Sequence, residues 1–427
     1  MTLKTPKGTR DFLPEDKIVR DKIVASLKEI FELYGYNPLE TPALELYDTL
    51  ASKYAGGAEI LKEVYTLTDN AERKLGLRYD LTIPFARVIA MNPEIKKPFK
   101  RYQIDRVWRD GPIKLGRYRE FWQCDVDVVG IKSVRVDAEL ISLASTFFKK
   151  LGLDVTIFVN NRKLLNAMLD FAGVKKELQE SVILSIDKLK KIGVDGVRKE
   201  LEEKGIPDDS IAKALGIFNI GESENNKIIE KLDQFLTNKE GIEEIKELLK
   251  YCELFGAKNV QLNISLARGL SYYTGTVLEV FMNDESMSSS LAGGGRFDKM
   301  IGMFLGSTEE VPAVGMSFGL DVITDVLKLK NIVETRKSVA DVYIIPLNTT
   351  EECIKIMSTL RNEGIKCDMD LIGRNIKKNM EYANKLCIPY VIIVGENELK
   401  EDKVNLKNMT TGDQKMLTTE EVVKEVM

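Results

Sequence analysis

The sequence contains no histidine among its 427 residues. Without an imidazole side chain, the protein has no histidine general base, no histidine-ligated metal site and no Ser-His-Asp triad. Any catalysis must therefore rest on arginine, lysine, carboxylates, hydroxyls, backbone groups or a borrowed ion.

Cysteines and long apolar segments are also scarce. The five cysteines form no CxxC pair and no even set for disulfides, which is typical of a reducing compartment. Apolar runs such as residues 390–394 have the length of a strand, whereas roughly 20 residues are needed to span a bilayer. The first residues lack the apolar core of a signal peptide. We therefore expect a cytoplasmic protein without a membrane span.

Positive charge is not in excess. The formal net charge of −4 argues against indiscriminate nucleic-acid binding, because such binding depends on phosphate neutralisation by lysine and arginine. Two local basic segments remain, residues 96–101 and 374–378, and each is either a binding face or ordinary solvated surface. With 44% hydrophobic residues, the chain is long enough for two or three domains with their own cores.

The first third of the chain has a helix followed by a hairpin pattern. Apolar residues at helical spacing predict a first helix that Gly35 ends. Residues 102–108 and 121–129 alternate as strands around the polar loop 109–117. This pattern predicts two antiparallel strands joined by a long loop.

The remainder changes its pattern twice. Residues 163 to about 256 have helical spacing throughout and predict an all-helical insertion. Strand patterns return at residues 260–264 and 276–281, and the glycine-rich residues 292–298 predict a loop. Beyond residue 342, strands and helices alternate, which predicts a compact α/β domain.

Polar side chains suited to ligand binding or catalysis lie on the second strand of the hairpin. Gln123, Asp125 and Asp127 are two residues apart and project from one strand face. That face is either exposed to water or binds a polar ligand. Upstream, Asp80 and Thr82 are predicted on one face of a short extended segment, where Asp80 either accepts from an ammonium group or caps a helix.

A second candidate site is the stretch RGLSYYTG at residues 268–275. It combines Arg268 with the adjacent rings of Tyr272 and Tyr273. Alternatively, the arginine pairs with a surface carboxylate, and one ring is buried while the other is exposed. The glycine-rich stretch AGGGRFD matches neither the dinucleotide-binding fingerprint nor the Walker spacing.

Several long motifs occur in an order that resembles the histidyl-tRNA synthetase family of class II aminoacyl-tRNA synthetases. They are TPKGTRDFLPED, RYDLTIPFAR, VWRDGPIKLGRYREFWQCDVDVVG, RGLSYYTGTVLEV, AGGGRFDKMIG and VPAVGMSFGLD. Near the C-terminus, ADVYIIPL and KVNLKNMTTGDQ resemble the anticodon-binding domain of that family. The resemblance therefore extends over nearly the whole chain.

The resemblance implies an α+β fold with an antiparallel sheet core and a C-terminal α/β domain. It implies a catalytic domain at residues 1–329 with the helical insertion at about 163–256, a linker at 330–338 and an anticodon-binding domain at 339–427. It also implies a homodimer that binds tRNA(His), L-histidine and ATP. The implied reaction is ATP-dependent ligation of histidine to tRNA(His) through a histidyl-adenylate.

The resemblance also implies roles for individual residues. Arg109 and Arg268 are the implied catalytic residues on the α-phosphate of ATP, and Arg117 is implied near the substrate carboxylate and the phosphate. The resemblance also implies residues that bind histidine, some at its α-ammonium and others at its imidazole. They are Asp80, Thr82, Gln123, Asp127, Tyr272 and Tyr273. A Mg²⁺ ion is implied on the ATP phosphates, with no protein side chain assigned to it.

Two positions depart from the family pattern. Ser271 stands where the family commonly has aspartate, and Val322 stands where many members have an arginine that packs on adenine. A second interpretation of the resemblance is a catalytically silent paralogue that senses histidine as a regulatory subunit of ATP phosphoribosyltransferase. Such paralogues generally lack the C-terminal domain, whereas this chain has that segment and both Arg109 and Arg268.

Overall fold

The structure, a computed structural model, describes residues 2–51, 58–114, 116–218, 224–267, 272–284, 286–333 and 336–427. The chain divides into two units. The first comprises residues 1–10 and 23–330, and the second comprises residues 11–22 and 331–427.

The elements up to residue 330 are the strands of one large sheet and one small sheet, together with helices. In chain order they are α1 (Pro14–Leu33), β1 (Asn37–Pro38), β2 (Leu44–Leu46), α2 (Tyr47–Leu50), α3 (Ala58–Leu61), β3 (Thr66–Thr68), β4 (Lys74–Leu77), α4 (Thr82–Met91), β5 (Phe99–Trp108), β6 (Glu120–Val129), α5 (Arg135–Lys150), β7 (Val155–Asn161), α6 (Arg162–Phe171), α7 (Lys176–Ile186), α8 (Leu189–Glu203), α9 (Asp208–Phe218), α10 (Asn225–Phe235), α11 (Glu240–Leu254), β8 (Val260–Leu262), β9 (Thr276–Met282), β10 (Ala292–Arg296), α12 (Met300–Phe304), β11 (Ala313–Gly319) and α13 (Leu320–Leu329).

The first helix follows its sequence pattern. α1 buries Ile23, Leu27 and Phe31, which recur at helical spacing. Gly35 adopts a φ of 77°, and the next N–H, that of Tyr36, donates to the Phe31 carbonyl at 2.9 Å. Because glycine adopts a positive φ at little cost, it ends the helix where the pattern predicted.

The large sheet is dominated by antiparallel pairs. Among the described residues its order is β1-β5-β6-β11-β10-β9-β7-β8, with parallel pairs at the two edges, β1 with β5 and β7 with β8. The five inner pairings are antiparallel. The predicted α+β fold with an antiparallel sheet core is thereby confirmed.

The β5–β6 hairpin gives this sheet one apolar and one polar face. Cys124, Val126 and Val128 of β6 are buried on the apolar face. They lie on the same side as Phe318 of β11, whose ring centroid is 5.3 Å from that of Phe147 in α5. Apolar packing of helices therefore occupies one side of the sheet and leaves the other side for polar groups.

Strand β10 corrects the prediction of a loop at residues 292–298. It lies between β9 and β11, and all five of its residues are buried. A Cβ atom on Gly294 would lie 2.0 Å from the Gly315 carbonyl oxygen, and one on Gly295 would lie 2.6 Å from the Thr276 carbonyl oxygen. The glycines therefore permit close approach of neighbouring strands, whereas glycine-rich composition alone suggested a turn.

Helices α6 to α11 occupy residues 162–254, apart from a gap in the described chain at 219–223. They pack through buried aliphatic residues such as Leu165, Ile183 and Ile245. No helix in the described part of the chain combines the length and apolar character that crossing a membrane requires.

The second unit has a mixed five-stranded sheet. After residue 331 its elements are β12 (Val342–Pro346), α14 (Thr350–Asn362), β13 (Cys367–Met369), α15 (Ile376–Lys385), β14 (Tyr390–Val394), α16 (Glu396–Lys400), β15 (Val404–Asn408), β16 (Gln414–Leu417) and α17 (Thr419–Val426). The strand order is β13-β12-β14-β15-β16. Ile344 and Tyr343 of β12 enter separate apolar clusters on opposite faces, so helices pack against both sides of the sheet.

The close approach at β10 leads to a stability prediction. We expect Gly294→Ala to destabilise the protein by about 1–3 kcal/mol or more, because the new methyl group collides with backbone that cannot move aside. Gly216→Ala, in the exposed part of α9 with no atom near the new Cβ, serves as the control and should be neutral or stabilising by up to ~1 kcal/mol. Urea unfolding measures both, and equal stability of the two variants would contradict the packing argument.

Candidate active site

A cavity of about 210 Å³ opens on the polar face of the large sheet. Strands β6, β10 and β11 form it together with the chain before α4 and the chain before β9. Its lining residues are Ile60, Tyr79, Asp80, Thr82, Arg109, Phe121, Trp122, Gln123, Asp125, Asp127, Tyr272, Tyr273, Ser290, Leu291, Ala292, Gly293, Gly294, Gly295, Phe297, Gly315, Met316, Ser317 and Gly319.

The polar row of β6 lies in this cavity and not on the protein surface. Asp125 is 3% exposed and Asp127 is 2% exposed. Gln123 is half-buried and lines the same cavity. Of the two interpretations of this strand face, exposure to water is therefore wrong. Three polar groups in an enclosed space need polar partners from the protein or from a ligand.

Asp127 obtains one partner from the adjacent strand. Arg101 of β5 is fully buried, and its guanidinium lies 2.7 Å from the Asp127 carboxylate. The same side chain lies 4.3 Å above the Phe85 ring and donates to the Leu81 carbonyl at 3.2 Å. Arg101 is thus not part of an exposed basic face, which corrects one alternative for residues 96–101.

Gly315 makes room for the Asp127 side chain. The two residues are neighbours across β11 and β6. A Cβ atom at position 315 would lie 1.8 Å from the Asp127 Oδ1 atom. The glycine is therefore required for the carboxylate to lie over β11 and reach the cavity.

Asp80 and Thr82 lie at the start of a helix. The prediction of an extended segment is wrong, because α4 begins at Thr82. The Asp80 carboxylate accepts the Ile83 N–H at 3.0 Å and so caps the helix, and the same side chain lines the cavity. The two interpretations of Asp80 are therefore compatible, because a carboxylate can cap the helix and accept from a ligand in the cavity at the same time.

Arg109 brings a cation to the rim of the cavity. Its Nε donates to the Tyr79 carbonyl at 2.9 Å, and its guanidinium carbon lies 5.2 Å from the Phe121 ring centroid. The backbone bond and the ring hold the side chain in place at the end of β5. Arg109 can therefore present a fixed positive charge to an anionic group in the cavity.

The two tyrosines both line the cavity. The centroids of Tyr272 and Tyr273 are 4.7 Å apart with an interplanar angle of 55°, so neither ring faces away from the site. A Cβ atom on Gly295 would lie 2.7 Å from the Tyr273 ring, so that glycine admits the ring. Arg268 and Ser271 lie outside the described residues.

Arg117 is not brought to the cavity. Its guanidinium lies 3.0 Å from the Glu63 carboxylate, and 47% of its side chain is exposed. The described structure thus gathers Asp80, Thr82, Arg109, Gln123, Asp127, Tyr272 and Tyr273 around one cavity and leaves Arg117 outside it.

Burial dominates the electrostatics of the three carboxyl groups. It raises the pKa of Asp127 to about 7, with Asp125 and Asp80 adding repulsion and Arg101 opposing the rise. Burial likewise raises the pKa of Asp80 to about 6, opposed by the Ile83 N–H and Arg109. The pKa of Asp125 is also raised by burial, against the influence of Arg101 and Ser317. Burial therefore disfavours the ionised form of all three carboxyl groups, and a ligand with positive charge or N–H donors would favour it.

Sequence reasoning missed Arg101, Tyr79 and Phe121 as parts of this site. A signal for Arg101 was present, since polar residues also alternate along β5 at positions 101, 103 and 105. These residues pair in register with Asp127, Asp125 and Gln123 on the same face. Aligning both strands of the predicted hairpin would have placed the arginine beside Asp127.

The antiparallel sheet with its polar cavity, and the α/β unit that follows it in sequence, agree with the fold of class II aminoacyl-tRNA synthetases. Residues 8–323 match the family model described as Histidyl-tRNA synthetase, and residues 341–427 match the Anticodon binding domain model. The chain belongs to the histidyl-tRNA synthetase family.

Individual relatives agree with this assignment. The chain is 48% identical to Histidine–tRNA ligase 1 of Bacillus cereus, covering 97% of this chain and 95% of the relative. It is 39% identical to Histidine–tRNA ligase of Phocaeicola vulgatus, covering 98% and 97%. It resembles the crystal structure of histidyl-tRNA synthetase from Nostoc sp. PCC 7120 with a TM-score of 0.88, 29% identity and coverage of 100% and 99%.

The raised pKa of Asp127 leads to a pH prediction. A ligand whose N–H donates to the ionised carboxylate lowers that pKa, so binding near pH 7 releases a proton from Asp127, whereas binding at pH 8.5 releases almost none. We expect histidine binding at pH 7 to release roughly half a proton more than in Asp127→Asn. Calorimetry in buffers of different ionisation enthalpy measures this difference. Equal release by the two proteins would contradict the role of Asp127.

Proposed function

We propose that this protein is a histidine–tRNA ligase that joins L-histidine to tRNA(His) through a histidyl-adenylate, with release of pyrophosphate and AMP. The observation that carries the proposal is a buried cavity in which acceptors, an arginine and two tyrosine rings converge. Such a cavity suits a small zwitterion with a polar ring.

In the first step, an oxygen of the histidine carboxylate attacks the α-phosphorus of ATP, and the bond from that phosphorus to the pyrophosphate oxygen breaks. The nucleophile is ionised at neutral pH, so the step needs no side-chain base. We assign Arg109 to the α-phosphate, where a fixed guanidinium stabilises the charge that develops in the transition state. Arg268 is assigned the same task by its motif.

Histidine recognition is assigned to two parts of the cavity. Asp127 accepts an imidazole N–H, and Tyr272 and Tyr273 pack against the ring. Asp80, Thr82 and Gln123 lie around the α-ammonium. Since a ring without nitrogen donors leaves buried Asp127 unsatisfied, an amino acid lacking them loses roughly 1–3 kcal/mol for each lost partner.

Arg117 needs a rearrangement to take part in this chemistry. It is paired with Glu63, outside the cavity. To reach the carboxylate and the phosphate, as the family resemblance implies, its side chain must leave that partner. An exposed ion pair of this kind is worth about 0–1 kcal/mol, so the rearrangement costs little.

We assign Val322 to the nucleotide end of the site, although it does not line the described cavity. It lies in the first turn of α13, is buried, and would contact a Cβ on Gly116 at 3.3 Å. We assign adenine binding here to apolar contact, in place of the arginine that many family members have. Van der Waals contact retains ring packing but loses the attraction of a cation for the ring.

In the second step, the terminal ribose 3′-hydroxyl of the tRNA attacks the carbonyl carbon of histidyl-adenylate. The ester bond forms, and AMP leaves with the electrons of the acyl–phosphate bond. The anticodon end of the tRNA is assigned to the second unit, residues 341–427, which match the anticodon-binding model.

One surface of the second unit suits nucleic acid. Lys377 and Lys378 are exposed in the first turn of α15, beside the exposed side chains of Leu371 and Ile372. Asp370 holds the preceding loop by accepting the N–H of Arg374 at 2.6 Å. Cations and apolar side chains on a rigid loop are the groups that contact phosphates and unstacked bases.

Three further assignments complete the proposal. ATP is used as its Mg²⁺ complex, in which the ion neutralises the departing pyrophosphate. The protein acts in the cytoplasm, where translation consumes its product. It is a homodimer, and a light-scattering mass of one chain would contradict this assignment.

The silent regulatory paralogue is less favoured, because the ligase relatives align over nearly the full length of this chain.

Pyrophosphate exchange into ATP tests the activation step. We expect exchange with histidine and with no other amino acid, and a fall of about 10²–10³-fold in Arg109→Ala and in Arg268→Ala, because each loses a transition-state donor. Arg106→Ala serves as the control, since Arg106 is half-exposed in β5, the strand that precedes Arg109, and pairs with Glu120 at 3.7 Å. No exchange in the wild-type protein, despite histidine binding, would favour the regulatory paralogue.

Charge reversal at α15 tests the tRNA surface. We expect Lys377→Glu with Lys378→Glu to raise the KM for tRNA about 10-fold or more and to leave pyrophosphate exchange unchanged, because only the tRNA reaches this loop. Lys355→Glu on α14 is the control, since α14 and α15 pack on opposite faces of the sheet. An equal effect of both changes on the KM would sink the assignment.

A further inference from the structure

Asp125 has no role in the assignments above, although it lies in the centre of the cavity. It is 3% exposed and stands between Gln123 and Asp127 on the same strand face. The arginines nearby have other partners. Arg101 pairs with Asp127 at 2.7 Å, Arg78 pairs with Asp105 at 2.6 Å, and Arg109 donates its Nε to the Tyr79 carbonyl at 2.9 Å.

Apart from the Oδ2 atom of Asp127, which lies 2.7 Å from the Arg101 guanidinium, two buried acceptors in the cavity lack a hydrogen-bond donor among the described residues. They are the Oδ1 atom of Asp125 and the Oε1 atom of Gln123. Both side chains line the cavity, from adjacent same-face positions of β6. Leaving such atoms without a donor costs about 1–3 kcal/mol each, and more for a charged group. A ligand that supplies donors at this place therefore recovers that cost on binding.

The chemistry of the unpaired acceptors selects the ligand group. Asp80 caps α4 through the Ile83 N–H and also lines the cavity, so three side chains with acceptor oxygens line it there: Asp80, Gln123 and Asp125. An ammonium has three N–H donors and a positive charge, whereas an imidazole has at most two N–H groups. Among the described residues, no group of three or more carboxylate or thiol side chains is placed to hold a metal ion.

The charge of the cavity favours the same group. Among the described residues, the carboxyl groups of Asp80, Asp125 and Asp127 outnumber the guanidinium groups of Arg101 and Arg109 by one. Asp80 and Asp125 line the same cavity, and their repulsion adds to the rise that burial causes in the pKa of Asp80. One ammonium between them removes the excess negative charge.

We propose that Asp125 binds the α-ammonium group of the amino-acid substrate together with Asp80 and Gln123, and so selects substrates that carry this group. The inference rests on the proposed function for the identity of the substrate. It assigns Asp125 to substrate binding, whereas Asp127 beside it recognises the imidazole.

A ligand comparison tests this assignment. Calorimetry would measure binding of histidine and of imidazolepropionate, which keeps the ring and the carboxylate but lacks the ammonium, to the wild-type protein, Asp125→Asn and Asp125→Ser. We expect both variants to lose about 10- to 100-fold in affinity for histidine, and less than about threefold for imidazolepropionate. Cys124→Ala, on the opposite face of β6, is the control and should keep both affinities.

The outcomes separate this inference from the proposed function. An equal loss for both ligands would show that Asp125 only maintains the shape of the cavity, and unchanged histidine affinity would show that it does not contact the substrate. Either result overturns the assignment of Asp125 and leaves the proposed function in place. If the wild-type protein binds neither histidine nor imidazolepropionate, the proposed function itself fails.

Discussion

The site depends on the buried ion pair between Arg101 and Asp127. A carboxylate placed alone in this cavity would be protonated or would destabilise the fold, since charge is costly in a medium of low polarity. Arg101 keeps the carboxyl close to ionisation at neutral pH and fixes its position from the adjacent strand. The pair stabilises the protein little, because desolvation offsets much of the attraction. In the proposed function, its value is that Asp127 is held in place to accept an imidazole N–H.

Glycines give this pair and the neighbouring rings the space they need. Gly315 leaves room for Asp127, Gly295 for Tyr273, and Gly294 for the backbone of β11. A Cβ atom added to any of these three glycines would lie within a few ångströms of an atom that lines or supports the cavity. The glycine-rich strand β10 thus contributes to the candidate site because its glycines have no side chains and leave space for neighbouring groups. It is not a phosphate-binding loop.

Much of the architecture could be predicted from local pattern. The hairpin of β5 and β6 and the α/β character of the second unit follow from alternation, and α1 follows from helical spacing. Strand β10 could not be predicted, because its glycines are required by contacts with strands that are distant in sequence. The prediction of an extended segment at Asp80 and Thr82 was wrong, since α4 begins at Thr82, whereas the helix cap was among the alternatives that the sequence offered for Asp80.

Some residues of the candidate site could likewise be predicted from local sequence pattern, and others could not. Asp127 and Gln123 were predicted from strand periodicity combined with the family resemblance, whereas the burial of Arg101 depends on register between strands. The placement of Arg117 depends on a partner, Glu63, that is 54 residues earlier in the chain. Pairing between distant side chains is set by tertiary structure, so no local pattern reports it.

A crystal structure with histidine bound tests the central claim most directly. The account predicts an imidazole N–H within hydrogen-bonding distance of the Asp127 carboxylate, with Arg101 on the far side of that carboxylate. It predicts the α-ammonium within hydrogen-bonding distance of Asp80, Gln123 and Asp125. Histidine bound in the reverse orientation, or outside this cavity, would contradict the account.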